Sequence, residues 1–301
     1  MSSFLELLEV KRILIADGAT GTNLQKAGLR PGEHPEGWVF TKPDRILDLE
    51  RAFVEAGSDI ILTCTFGGTR VRLAGSEYSD EVTELNRKAA SLARQAASTG
   101  REVLVGGSMG PLGKLLKPYG PLAVEEATAA YAEQAGALAE GGVDLLVIET
   151  QFALDEAAAA VEGARAVTDL PIVVSFSFDR GTRTMMGVRP SDVAKTFREL
   201  DVAVVGVNCG TTLANTQTIL EEYALALPGF PLWAKPNAGL PRMDGDTAVY
   251  DVMPGGMAEF ATLAIEHGAR IIGGCCGSTA EHIRALASSV ERALASDQNT
   301  P

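Results

Sequence analysis

The chain has 301 residues, 46% of them hydrophobic and 22% charged, the balance of a folded protein with a sizeable core. Its formal net charge of −13 argues against nucleic acid or an anionic membrane as main partner, because both demand basic patches. Four cysteines in a chain this long do not make a disulfide framework, so a reduced, cytoplasmic protein is expected.

The opening MSSFLELLEVKR lacks the basic segment and apolar stretch of a secretory signal. No apolar run has the length that spans a bilayer. From there, short apolar runs alternate with longer helical stretches. The predicted strands are RILIAD (12–17), DIILTCT (59–65), EVLVGGS (102–108), DLLVIET (144–150), PIVVSFSF (171–178), VAVVGVNC (202–209), PLWAKPN (231–237) and ARIIGGCC (269–276). They are rich in Val, Ile and Leu without polar alternation, as strands of a parallel sheet covered on both faces should be. Helices are predicted over 43–57, 124–142 and 279–295, among others, and several end in EAGSD, EGGVD or EHGAR, a capping glycine followed by the next strand. Eight such units predict an α/β fold, a single (β/α)8 TIM barrel spanning residues 1–301 with a frayed tail from about 296. The turn after the first strand, DGATGTN, lacks the G-x-G-x-x-G spacing of a doubly wound nucleotide-binding sheet.

In such barrels the chemistry sits where the strands end. The first strand delivers Asp17, Gly18 and Ala19 there, the second Thr63-Cys64-Thr65-Phe66, the third Ser108 and the fourth Glu149-Thr150. The fifth offers Ser175, Ser177 and Asp179, the sixth Asn208-Cys209, the seventh Lys235-Pro236-Asn237 and the eighth Cys275-Cys276. Three cysteines thus end the sixth and eighth strands, which only the seventh separates. Converging thiolates are a zinc signature, and three protein ligands leave the fourth position open, the pattern of a catalytic rather than a structural metal. Successive strand side chains point to opposite faces, so the backbone must leave strand geometry for Cys275 and Cys276 to reach one ion. Gly273, Gly274 and Gly277 permit that. A tris-thiolate zinc suits the activation of an incoming thiol, and the chemistry predicted is alkyl transfer to that thiol. Lys235 would suit a Schiff-base barrel enzyme, but the thiol cluster sets that reading aside.

The motifs DGATGTNLQ (17–25), AGSDIILTCTF (56–66), GSMGPLG (107–113), VDLLVIET (143–150), GVNC (206–209) and GGCCG (273–277) run in order over nearly the whole chain. In them the sequence resembles the homocysteine S-methyltransferases, which share a zinc-binding (β/α)8 homocysteine domain. GVNC together with GGCCG is the specific part. The resemblance implies that Cys209, Cys275 and Cys276 bind Zn²⁺ and that the homocysteine sulfur completes the tetrahedron, so that methionine forms with the substrate thiolate as nucleophile and no protein nucleophile. It further implies that Glu149 receives the substrate ammonium, that Asp17, Gly18 and Ala19 hold the amino-acid end, and that Ser108 touches the substrate. Asn208 would orient the metal loop.

The spacing of GSMGPLGKLLKPYG and TFGGTR is most similar to the homocysteine module of cobalamin-dependent methionine synthase. Betaine-using relatives carry an aromatic residue where this chain has Gly67 and a Tyr where it has Thr150, which weakens betaine as donor. The expected donor is a methylcorrinoid, arriving on a separate corrinoid protein because the chain stops at Pro301. The alternatives are S-methylmethionine or betaine as donor, or a homocysteine- and zinc-binding subunit inactive without a partner.

Overall fold

A computed structural model describes residues 3–98, 100–244 and 247–297. The Val-, Ile- and Leu-rich runs form parallel strands β1 (Leu14–Ile15), β2 (Ile60–Leu62), β3 (Leu104–Met109), β4 (Leu145–Gln151), β5 (Ile172–Phe176), β6 (Val204–Cys209) and β7 (Leu232–Pro236). An antiparallel hairpin of β8 (Arg242–Asp244) and β9 (Thr247–Val249) follows, and then the eighth barrel strand, β10 (Ala269–Ile272). The sheet order is β1-β10-β7-β6-β5-β4-β3-β2. A parallel bridge between Ala16 and Ile60 and a 2.6 Å hydrogen bond from Asp59 N to Ile15 O join the two ends. The expected (β/α)8 barrel is therefore what forms. The hairpin is an addition that its polar sequence, with no apolar run, did not announce. The last helix, Ala280–Asp297, continues past position 296, and the remainder of the expected frayed tail lies outside the described residues.

Strand alternation sorts the core. Ile15, Ile61, Val105, Leu146, Val174, Val205 and Ile272 point outward to the helices. Their neighbours Leu14, Ile60, Leu104, Leu145, Val173, Val204 and Ile271 point inward, where they pack on Trp233 and on Phe4, Leu7 and Leu8. Those last three lie on an N-terminal helix, Phe4–Lys11, that plugs the bottom of the barrel. It starts with a capping box: Glu6 N donates to Ser3 Oγ at 3.3 Å, and Ser3 N donates to Glu6 Oε2 at 2.7 Å. Trp233 fills the middle, and Gly206 makes room for it, since a Cβ there would lie 2.2 Å from the Trp233 carbonyl oxygen. Two acidic residues at strand starts pin neighbouring strands. Asp59 Oδ2 accepts from Ile15 N at 2.9 Å, and Asp144 Oδ2 accepts from Val105 N at 2.7 Å.

The same alternation, carried four residues on from Leu104, Leu145, Val204 and Ile271, sets Ser108, Glu149, Asn208 and Cys275 on the inner face at the open end. One residue pattern thus supplies an apolar floor and a polar mouth. The floor depends on the plug: Phe4→Ala, at a side chain 1% exposed, is expected to lower unfolding free energy by about 3–5 kcal/mol in urea titrations while leaving metal stoichiometry unchanged.

Candidate metal centre

Cys209 closes β6, and Cys275 and Cys276 occupy the turn after β10. Strand β7 runs between them and clamps both. Asn237 N donates to Cys209 O (3.3 Å), Ala238 N to Cys276 O (2.9 Å), and Cys275 N to Pro236 O (2.7 Å). Ser278 holds the same turn through its Oγ, 2.6 Å from Cys275 O. The result is three sulfur atoms within 4.8 Å of one another, with Cys209 Sγ and Cys275 Sγ 2.9 Å apart.

The glycines act here mainly by being small. A Cβ on Gly274 would lie 2.4 Å from Ser278 Oγ, and one on Gly277 would strike the Tyr250 ring at 2.2 Å. Gly277 alone of the three at 273, 274 and 277 also needs positive φ, +84°. The strand-6 cysteine carries its own share of the distortion, because Cys209 sits at φ +55° and Thr150, facing it from β4, at φ +60°. For a β-branched residue that is a conformational outlier costing about 1–3 kcal/mol, of the kind that gathers at functional sites.

Asn208 explains why the two stay there. Its Oδ1 accepts from Thr150 N (2.8 Å) and Ser175 Oγ (2.7 Å). Its Nδ2 donates to Thr150 Oγ1 (2.6 Å) and points at Cys209 Sγ (3.7 Å) and Cys275 Sγ (4.0 Å). A buried amide with both ends satisfied is a rigid fixture. Among the site residues the sequence reading undervalued Thr150, Tyr250 and Lys235. The inward register of Lys235 in an otherwise apolar strand was a signal for it, whereas Tyr250 comes from an irregular connection with no such pattern.

The thiols are electrostatically frustrated without a cation. Hydrogen bonds from Cys209 and Cys275 draw the Cys276 thiol down, to about 3, and the Tyr250 hydroxyl adds another. Hydrogen bonding to Cys275 and then Cys276, with burial, pushes Cys209 up, while Cys275, pulled down by Cys209, is raised on balance by Cys276 and burial. One thiolate is thus stabilised by two retained protons, which a soft divalent cation would replace. Zn–S bonds of about 2.3 Å place the sulfurs of a tetrahedron about 3.8 Å apart, inside the range seen here. Asn237 adds a buried Oδ1 with no hydrogen-bond partner on the residue that ties β7 to Cys209. The donor set fits zinc. Cys64, by contrast, is buried with Leu24, Leu29, Trp38 and Val39 and lies outside the group.

A cavity of about 650 Å³ opens above the sulfurs. Gly18, Ala19, Ser108, Glu149, Lys235 and all three cysteines line it. Glu149 is 7% exposed, and its Oε1 accepts from Ser108 Oγ at 2.5 Å. Burial lifts its carboxyl to about 7 against the pull of Lys235. Asp17 is placed differently from Gly18 and Ala19: its carboxylate is 2% exposed and behind the wall, with Oδ2 accepting from Leu62 N (2.7 Å) and Oδ1 paired to the Lys235 ammonium. Ala19 N already donates to Ser278 O at 3.3 Å. At Gly67, N donates to Glu36 Oε1 at 2.5 Å, and a Cβ would lie 2.8 Å from that oxygen, so a larger residue there would displace the Glu36 carboxylate.

Comparison with known proteins gives a consistent picture. Residues 14–290 match the family model described as homocysteine S-methyltransferase. Methionine synthase of Mycobacterium leprae is 32% identical over 304 residues, covering 95% of this chain and 25% of that protein. The enzyme of the same name from Mycobacterium tuberculosis is 32% identical over 302 residues with the same coverage, so the chain spans about a quarter of the length of these curated relatives. The metallated crystal form of the homocysteine methyltransferase MmuM from Escherichia coli superposes with a TM-score of 0.80 at 26% identity, over 94% of this chain and 98% of that one.

The Asn208 bridge yields a measurable expectation. Asn208→Ala should weaken zinc affinity by about 10–100-fold in chelator competition while saturating zinc still loads one ion per chain.

Proposed function

The chain belongs to the homocysteine S-methyltransferase family, and on that premise we propose that it binds Zn²⁺ through Cys209, Cys275 and Cys276 and transfers a methyl group to the homocysteine thiol to give methionine. The observation that carries the zinc reading is the convergence of those three sulfurs, within 4.8 Å of one another, in the lining of the cavity of about 650 Å³. Bound zinc would supply a Lewis acid that lets the substrate thiol lose its proton near neutral pH.

The chain's own residues supply the rest. Glu149 offers a carboxylate to the substrate ammonium, and Ser108 fixes its orientation through the 2.5 Å hydrogen bond. Gly18 and Ala19 shape the wall beside it. Asn208 and Thr150 hold Cys209 in its strained conformation, so that the sulfurs stay aimed at one point. The thiolate then attacks the donor's methyl carbon, forming the new S–C bond as the old bond breaks with its electron pair left on the donor.

The donor proposed is a methylcorrinoid presented at the barrel mouth by a corrinoid protein. Support comes from the similarity to methionine synthases and from Gly67 and Thr150, which depart from the betaine-using pattern. The cavity volume favours a second reading, a small onium donor such as S-methylmethionine, because about 650 Å³ exceeds what homocysteine alone fills.

Purified zinc-loaded protein should form methionine from homocysteine with methylcobalamin or a methylated corrinoid protein, and not with betaine. Turnover with S-methylmethionine alone would select the second reading. No turnover with any of the four would overturn both. Cys209→Ala should remove most bound zinc, and an unchanged stoichiometry would refute the ligand assignment. Glu149→Gln should raise KM for homocysteine with little loss of zinc.

A further inference from the structure

A closed circuit of hydrogen bonds ties the cysteine turn to the connection that follows β7. Ala238 N donates to Cys276 O at 2.9 Å, and Val252 N donates to Ala238 O at 3.0 Å. Val252 O in turn lies 2.9 Å from Nε2 of the His282 imidazole. Thr279 N and Thr279 Oγ1 approach the other ring nitrogen, Nδ1, at 3.2 and 2.9 Å. Thr279 stands three residues after Cys276, so the circuit ends on the turn where it began. His282 is 9% exposed and sits in the first turn of the last helix.

The partners settle which nitrogen carries the proton. A backbone N–H can only donate and a carbonyl can only accept, so Nδ1 accepts from Thr279 N and Nε2–H donates to Val252 O. A Glu or Gln at the third helical position is the common way to serve the N–H at a helix start. Imidazole adds to that acceptor a donor pointing the other way. The donor holds residues 250–252, which have one main-chain hydrogen bond to the barrel among the described residues, Val252 N to Ala238 O. That short limb carries Tyr250. Its ring packs so closely on Gly277 that a Cβ there would lie 2.2 Å from it, and its hydroxyl donates to the Cys276 sulfur.

We propose that His282 is a positioning residue of the metal centre: by holding Val252 O it keeps Tyr250 seated on Cys276, so that one of the three metal-binding sulfurs carries a hydrogen bond. The inference rests on the zinc reading given above and adds two residues to it. A hydrogen bond to one ligand sulfur withdraws charge from it, which leaves a bound cation more of its Lewis acidity for an incoming thiol. The same helix start that fixes the Cys276 turn through Thr279 thus fixes the group that tunes its sulfur. Both settings share one imidazole, which serves them only while neutral.

The cobalt-loaded full chain tests this without any substrate, because its sulfur-to-cobalt charge-transfer absorption reports on the ligand sulfurs. Tyr250→Phe keeps the ring and removes the hydroxyl, so the band should move to lower energy as Cys276 becomes the richer donor. His282→Glu keeps an acceptor for Thr279 N and lacks the donor to Val252 O; it should show the same shift. His282→Gln offers both groups and should keep the native band. The double variant Tyr250→Phe with His282→Glu should move no further than Tyr250→Phe alone, because the two act through one bond. Metal stoichiometry and melting temperature serve as folding controls. In the unmutated protein, imidazole ¹⁵N resonances should show His282 protonated at Nε2 and bare at Nδ1 at neutral pH. An unmoved band in Tyr250→Phe or in folded His282→Glu overturns the proposal. So do equal shifts in the Glu and Gln variants, as a capping role alone would leave both native, or shifts that add in the double variant. The opposite tautomer or a cationic ring overturns it whether or not the variants fold. If the unmutated protein shows no sulfur-to-cobalt band, the zinc reading fails and this inference falls with it. A native band that the variants leave unmoved keeps that reading and removes only His282 and Tyr250.

Discussion

Everything at the mouth of this barrel depends on the backbone of β7. Its last residue, Pro236, and the two that follow exchange three hydrogen bonds with the segments carrying Cys209 on one side and Cys275 and Cys276 on the other. Cys209 sits at positive φ, and the Cys275–Cys276 turn has left the sheet. Main-chain hydrogen bonds from a central strand are a good way to fix such segments, because they do not depend on rotamers and are buried from competing water. The strain at Cys209 and Thr150 is tolerable because Asn208 and β7 together over-determine it.

Charge follows a similar logic of containment. The chain is acidic throughout, and its cavity gathers Glu149, three thiols and, just behind the wall, Asp17. A single buried lysine balances this group internally. Desolvated charges are expensive unless paired, so Asp17 and Lys235 stabilise each other where either alone would destabilise the fold. The lysine is already paired to Asp17, and a divalent cation is the natural complement of three thiolates.

The fold was legible in the sequence to the extent that it is periodic. Eight apolar runs without polar alternation implied a covered parallel sheet, and each reappears as a strand, most of them shorter than expected, with β4 keeping its length and shifted by one residue. The cysteines were legible because both sets terminate strands separated by one neighbour. Other features were not, for reasons that are physical. The N-terminal helix carries its capping box in plain sight, Ser3 to Glu6, but its role as a plug depends on Phe4, Leu7 and Leu8 meeting seven strands far away in the chain. Asp17 read as a cavity residue because it ends β1 beside Gly18. Only the three-dimensional register shows that it is paired to Lys235, 218 positions away. Long-range pairing of this kind leaves no local mark. Tyr250 comes from an irregular connection, where no period constrains which side chain reaches the sulfurs.

The plugged floor also governs traffic. With Phe4, Leu7, Leu8 and Trp233 packed in its lower half, the barrel keeps its sulfurs and polar groups at the opposite end. Any ligand that reaches the sulfurs therefore comes through the mouth and not through the floor, so a thiol and the methyl donor proposed for it would share one side of the protein.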